Sequence, residues 1–144
     1  MVTQITTWRD INGYLIQNIE QDIPKGTVGF VYKITSVDNE WTYIGKKSLY
    51  ATRTLPPLKG NVRKRRVTKE SNWKDYYSSN KLVQEYVKVN GKESVERTIL
   101  KFCSSKKLLT YYENKYLYCY DVLEYPDKFL NDNISGKFFR TDFI

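Results

Sequence analysis

Two runs of strand-forming residues flank a polar tip. Gly29 to Thr35 reads GFVYKIT and Trp41 to Lys46 reads WTYIGK, with Ser36-Val37-Asp38-Asn39-Glu40 between them. Both flanks are rich in β-branched and aromatic residues and the tip is turn-rich, so the pattern predicts a β-hairpin. A turn centred on Asp38-Asn39 pairs Ile34 with Tyr43 and Tyr32 with Gly45. Side chains alternate along a strand, so Tyr32, Ile34, Tyr43 and Gly45 then share one face. Tyr32 and Tyr43 become diagonal neighbours, and Gly45 leaves open space opposite Tyr32 for a water and a phosphate.

Upstream, Trp8, Ile11, Tyr14, Leu15 and Ile19 recur at roughly helical spacing. Residues 1–27 thus form a short helix or a packed arm, ended by Pro24-Lys25-Gly26. Downstream, Lys47 to about Tyr50 is a possible helix start, Pro56-Pro57 and Lys59-Gly60 break any helix, and residues 62–68 (VRKRRVT) read as a basic strand or an extended arm. In residues 71–79 aromatic and basic residues interleave. That pattern suits sugar-phosphate contact, or equally a helix packed by Trp73 and Tyr77. Ser79-Asn80 caps a helix from Lys81 to about Val89 with a stripe of Leu82, Val83, Tyr86 and Val87, and Asn90-Gly91 ends it. Residues 95–103 (VERTILKFC) read as a third strand. Ser104 or Ser105 caps a last helix, Lys106 to Val122, whose inner face holds Leu109, Tyr112, Tyr116, Cys119 and Leu123. The tail from Asn131 reads as irregular, with aromatics packing back on the body. The order predicts a small α+β domain with a three-stranded antiparallel sheet flanked by helices, over residues 28–144. A basic insertion at about 47–77 interrupts it.

Composition narrows the class. A chain of 144 residues with 15% aromatics suits one globular domain with a real core. No apolar run reaches ~18 residues, so no membrane span is expected. The N-terminus lacks a signal-peptide pattern, so a cytoplasmic protein with reduced, buried Cys103 and Cys119 is expected. With no histidine and two separated cysteines, a structural zinc site is not expected.

Charge changes the picture more. Of the net +8, ten basic residues and one acid (Glu70) between Lys46 and Lys74 hold +9, leaving −1 for the rest. A concentrated basic stretch on a near-neutral body is the footprint of a nucleic-acid contact. The contacts expected are Lys59, Arg63, Lys64, Arg65, Arg66, Lys69, Trp73 and Lys74. Lys46 and Lys47 follow Gly45 directly and would favour an ionised Tyr32 phenol. Glu113 stands on the last helix beside Leu109, Thr110, Tyr116 and Leu117. A carboxylate there is either an ion-pair partner of Lys115 or Lys106, or a group with chemistry to do.

Val31-Tyr32 followed by Tyr43-Ile44-Gly45 resembles the two-tyrosine signature of the GIY-YIG nucleases. The second half matches letter for letter; the first, Gly29-Phe30-Val31-Tyr32, has one extra residue. The likeness spans roughly residues 28–139 and is greatest to small free-standing, Seg-like phage endonucleases of the homing type. It implies Glu113 as the ligand of a single Mg²⁺ or Mn²⁺, with Tyr32 as general base. It further implies Tyr43 and Arg53 on the scissile phosphate, with Arg63, Arg65 or Arg66 as substitutes for Arg53. Asn133 would brace the site, with Asn131 as rival. Lys46 and Lys47 complete the set, since the histidine of many relatives is missing. The substrate implied is double-stranded DNA, cut to 5′-phosphate and 3′-hydroxyl ends by a monomer or homodimer. The alternative is a non-catalytic nucleic-acid-binding module working through residues 46–74.

Overall fold

The computed structural model describes residues 6–143. Its centre is the expected hairpin: β2 (Gly29–Ser36) runs antiparallel to β3 (Thr42–Ser48), with Tyr32 opposite Gly45 and Ile34 opposite Tyr43. Asn39, at φ +61°, makes the left-handed turn at the tip. The third strand, β6 (Val95–Cys103), pairs antiparallel with the other edge of β2.

The sheet has four strands, not three, and is mixed. Arg9–Asp10 forms a two-residue strand, β1, parallel to β6, giving the order β1-β6-β2-β3. No helix forms over residues 8–15, because Asp10 closes a tight turn there. Its carboxylate accepts from Asn12 N and Tyr14 N, with Gly13 at φ +87°. The segment is a packed arm that buries Trp8 and Ile16, followed by one helical turn, α1 (Ile19–Asp22).

The sheet is buried on both faces. Phe30, Tyr32, Ile34 and Ile99 meet Trp8, Ile16, Trp73 and Val83 on one side. Val83 comes from helix α2 (Lys81–Asn90), whose N-cap Asn80 accepts from Leu82 N and Val83 N and whose end is Gly91 at φ +94°. On the other side Val31, Ile44 and Cys103 meet helix α3 (Lys106–Cys119), capped by Ser105. This helix stops three residues before the expected Val122. Asp121 at φ +52° turns the chain back, so Val122 and Leu123 reach the core from the turn. The buried stripe of α3 is Leu109 and Leu117. Tyr112 and Tyr116 pack at its side, and Cys119 is exposed, contrary to the expectation that both cysteines are buried. The tail folds into a small hairpin, β7 (Asn133–Ile134) with β8 (Phe138–Phe139).

The basic insertion is a second hairpin. Strand β3 runs on through Ser48, so no helix starts at Lys47. Strand β4 (Tyr50–Leu55) then pairs antiparallel with β5 (Arg65–Glu70) as a separate two-stranded sheet. Its root is fastened to the body: Leu49 is fully buried, Leu49 N donates to Val28 O, and Ser71 N donates to Leu49 O. Trp73, expected on the DNA surface, is fully buried against Phe30. Its ring N–H donates to Glu70 Oε2 at 3.1 Å, and its carbonyl accepts from Trp8 Nε1 at 2.7 Å. Those bonds satisfy its polar atoms, which lets a large ring enter the core.

Among the described residues no helix is long and apolar enough to cross a membrane.

Candidate active site

The hairpin register sets the two signature phenols side by side. The Tyr32 and Tyr43 rings lie 6.3 Å apart between centroids. The space expected opposite Tyr32 is taken up by Tyr32 itself. A Cβ on Gly45 would stand 2.6 Å from Tyr32 Oη, 2.8 Å from Cζ and 3.0 Å from Tyr43 Cε2. Glycine is therefore needed at this position so that the phenol can lie over the strand, and the opening is not left for water or phosphate.

The two phenols differ in access. Tyr32 is 1% exposed, ringed edge-on by Trp8, Phe30 and Tyr76. Burial holds its hydroxyl well above the ordinary tyrosine value, and Tyr43, Tyr76 and Glu113 raise it further. The ionised phenol expected from Lys46 and Lys47 is not favoured. Lys47 instead sets its ammonium 4.1 Å above the Tyr76 ring, where burial lowers its pKa. Tyr43 is only partly buried. Its hydroxyl is pushed up to about 12, by burial first and then by Glu113 and Tyr76, with a hydrogen bond from Ser79 in opposition.

Glu113 lies one turn from each of the buried leucines, Leu109 and Leu117, so its carboxylate leaves the helix along the packed stripe. Its ion-pair partner is Lys46, with Nζ at 3.8 Å, rather than Lys106 or Lys115. Lys46 also donates to Thr110 Oγ1 at 2.9 Å. Burial raises the Glu113 carboxyl above its usual range, and Lys46 pulls it partly back.

Tyr43 and Glu113, but not Tyr32, Lys46 or Lys47, line a cleft of about 340 Å³ on the β3 edge of the sheet, together with Ser79, Asn131, Asp132 and Asn133 among others. Glu113 and Asp132 supply its carboxylates. The described residues contain no group of three or more His, Cys, Asp or Glu that could enclose a metal. So sparse an oxygen set fits Mg²⁺ or Mn²⁺, which take few carboxylates and keep several waters.

The two asparagines divide plainly. Asn131 is 4% exposed and bridges the outer edge of β3: Ile44 N donates to its Oδ1 at 3.1 Å and its Nδ2 donates to Ile44 O at 2.8 Å. Ile44 lies between Tyr43 and Gly45, so Asn131 holds the signature strand in place. Asn133, the first choice from sequence, is exposed and closes a turn by accepting from Gly136 N. Asn131→Ala should leave both Ile44 groups unpaired, at ~1–3 kcal/mol each. Melting temperature should fall by roughly 5–15 °C, against little change for Asn133→Ala. Thermal melts of the two variants decide it, and an equal fall in both would remove the bracing role of Asn131.

Arg53 stands elsewhere. It is exposed on β4, opposite Val67, and does not line the cleft. Lys59, Arg63 and Lys64 lie in the loop joining β4 to β5, Arg65, Arg66 and Lys69 on β5, and Lys74 in the short turn after it; all are exposed. Sequence reasoning did not place Tyr76, Ser79 or Asp132 at the site, and named Ser79 only as a helix cap. They sit on irregular segments, where no periodicity marks a side chain as facing inward.

The family model described as "Putative endonuclease segE, GIY-YIG domain" matches residues 14–134. The chain belongs to this Seg-type GIY-YIG endonuclease family. The match takes in the tyrosine hairpin, the second hairpin, Glu113 and Asn131. Comparison with curated proteins and with solved structures gives no match.

Proposed function

We propose that this Seg-type GIY-YIG protein is a divalent-metal-dependent endonuclease that hydrolyses phosphodiester bonds of double-stranded DNA, of the phage-encoded homing kind. The observation that carries this reading is the half-buried Glu113 carboxylate, held on the wall of a polar cleft beside Tyr43 and Lys46.

Glu113, assisted by Asp132, would hold Mg²⁺ or Mn²⁺. When bound, such an ion lowers the pKa of a water and offsets charge on the leaving oxygen. The chain's own groups do the rest. The phenol of Tyr43 stays protonated, so it donates a hydrogen bond to a phosphate oxygen. Lys46 balances the negative charge gathered there. Water oxygen then bonds to phosphorus as the water gives up a proton to solvent, the bond to the 3′ oxygen breaks, and that oxygen takes a proton from solvent to become a hydroxyl. Tyr32 was the expected base, but a phenol this buried is a poor proton acceptor. Its role here is to fix Tyr43 and Tyr76 from behind. Asn131 keeps β3 in register, and Arg53 joins the cationic residues of the second hairpin in holding DNA.

Supercoiled plasmid tests the reading. With Mg²⁺ or Mn²⁺ the protein should give nicked or linear DNA, and with chelator none. A plasmid retarded in a gel yet left closed with either metal would mean a binding module.

A further inference from the structure

The second hairpin is hard to explain as part of the fold. Two-stranded hairpins are marginal alone, and this one lacks an apolar face. All of β5 and nearly all of β4 is exposed. Its register sorts the charges. Ala51 pairs with Lys69, Arg53 with Val67 and Leu55 with Arg65, so Arg53, Arg65 and Lys69 share one face with no acid. The opposite face carries Tyr50, Thr52, Thr54, Arg66, Thr68 and Glu70, with one charge of each sign. It is laced by the Thr52–Thr68 hydroxyl contact at 3.0 Å. Near its root it turns toward the body, where Tyr50 and Glu70 line a hollow with Glu20 and Lys74.

We infer that the β4–β5 ribbon enters the major groove of duplex DNA with its Arg53, Arg65 and Lys69 face against the base edges. The inference rests on DNA being the substrate. The dimensions agree: six residues span ~20 Å, two strands stand ~4.8 Å apart, and the groove is ~12 Å wide and admits a two-stranded ribbon. The chemistry agrees too. Arginine pairs bidentately with guanine O6 and N7, and the small Ala51 and Val67 between the cations allow close approach. Arg65 Nε donates to Pro56 O at 3.3 Å, a bond that ties this side chain to the adjoining loop. Loop residues Lys59, Arg63 and Lys64 at the tip, and Arg66 behind, then face phosphates. The ribbon supplies groove selection and register, while the cleft supplies the chemistry.

The test is binding of the full chain to a 30-base-pair mixed-sequence duplex in chelator, by fluorescence anisotropy, against two competitors. Methyl green occupies the major groove and distamycin the minor groove. Methyl green should displace the protein and distamycin should not. The triple variant Arg53→Ala, Arg65→Ala, Lys69→Ala should bind roughly 10- to 100-fold more weakly and become insensitive to methyl green. Arg66→Ala should only flatten the slope of log affinity against log salt by ~0.9, as one lost phosphate contact does, and keep the methyl green response. Displacement by distamycin alone overturns the proposal, as does a triple variant that keeps parental affinity. Plasmid cleavage separates this from the nuclease reading. Groove-selective binding without metal-dependent cleavage removes the nuclease and leaves the ribbon proposal standing. Cleavage without major-groove competition does the reverse.

Discussion

Tyr43→Phe should slow plasmid cleavage by roughly 10²–10³-fold, the usual cost of one hydrogen-bond donor to developing charge, with DNA affinity unchanged. The ring stays beside Tyr32 and the fold loses nothing apolar. What disappears is a hydroxyl on the cleft wall that burial, Glu113 and Tyr76 favour in its protonated, donating form. A protonated phenol also implies no rise in rate from tyrosine ionisation between pH 6 and 9. Tyr32→Phe is the informative partner. Its hydroxyl is inside, packed beside Tyr76 and lying over Gly45, so its loss should disturb the rate less. Should Tyr32→Phe lose ~10²–10⁴-fold, the scale of a general base, while Tyr43→Phe keeps the parental rate, the roles exchange.

The hairpin register could be read because pairing across β2 and β3 follows from one turn and a period of two. Pairing Tyr32 with Gly45 needed no tertiary information. The caps Asn80 and Ser105 were equally local, each a polar residue ahead of an apolar stripe. Where tertiary contacts decided, the pattern misled. Trp73 sits among charges and reads as surface, yet the Glu70 carboxylate and the Trp8 indole satisfy its polar atoms inside. Helical spacing before Pro24 yields to a turn closed by a single carboxylate, Asp10. Residues 62–68 could be read as a basic strand or arm, but Tyr50–Leu55, its partner across a loop holding two prolines, could not, because the pattern there shows only a possible helix start and a break. Asn131 and Asn133 are chemically the same and two residues apart. Only the path of the chain, which pairs residues 128–130 with Thr42, puts Asn131 against the outer edge of β3. Lys46 is far from Glu113 in sequence, so helix spacing pointed to Lys106 or Lys115.

Glu113→Gln should abolish metal-dependent cleavage and leave DNA affinity unchanged or slightly improved. The amide keeps the shape and hydrogen bonding of the side chain, but gives up the charge that would hold the ion. One negative charge near the phosphates is also removed. Stability should move the other way from activity. The folded-state pKa of Glu113 is raised, chiefly by burial, with Lys46 only partly compensating. A raised carboxyl binds its proton more tightly in the folded chain than in the unfolded one. Its favourable contribution is complete below the unfolded value and is lost as pH rises through the folded value. At neutral pH the ionised group therefore costs stability, and Glu113→Gln should melt at a higher temperature than the parent, with the gap closing toward pH 4. Metal binding needs the carboxylate, so parental activity should fall as pH drops through the same window. An ordinary surface ion pair would behave differently. Its loss would lower stability by at most ~1 kcal/mol and spare activity. Cleavage, DNA affinity and melting temperature measured on the one variant separate the two. Full cleavage by Glu113→Gln at saturating Mg²⁺ would remove Glu113 as the metal ligand and leave the cleft without its central acid.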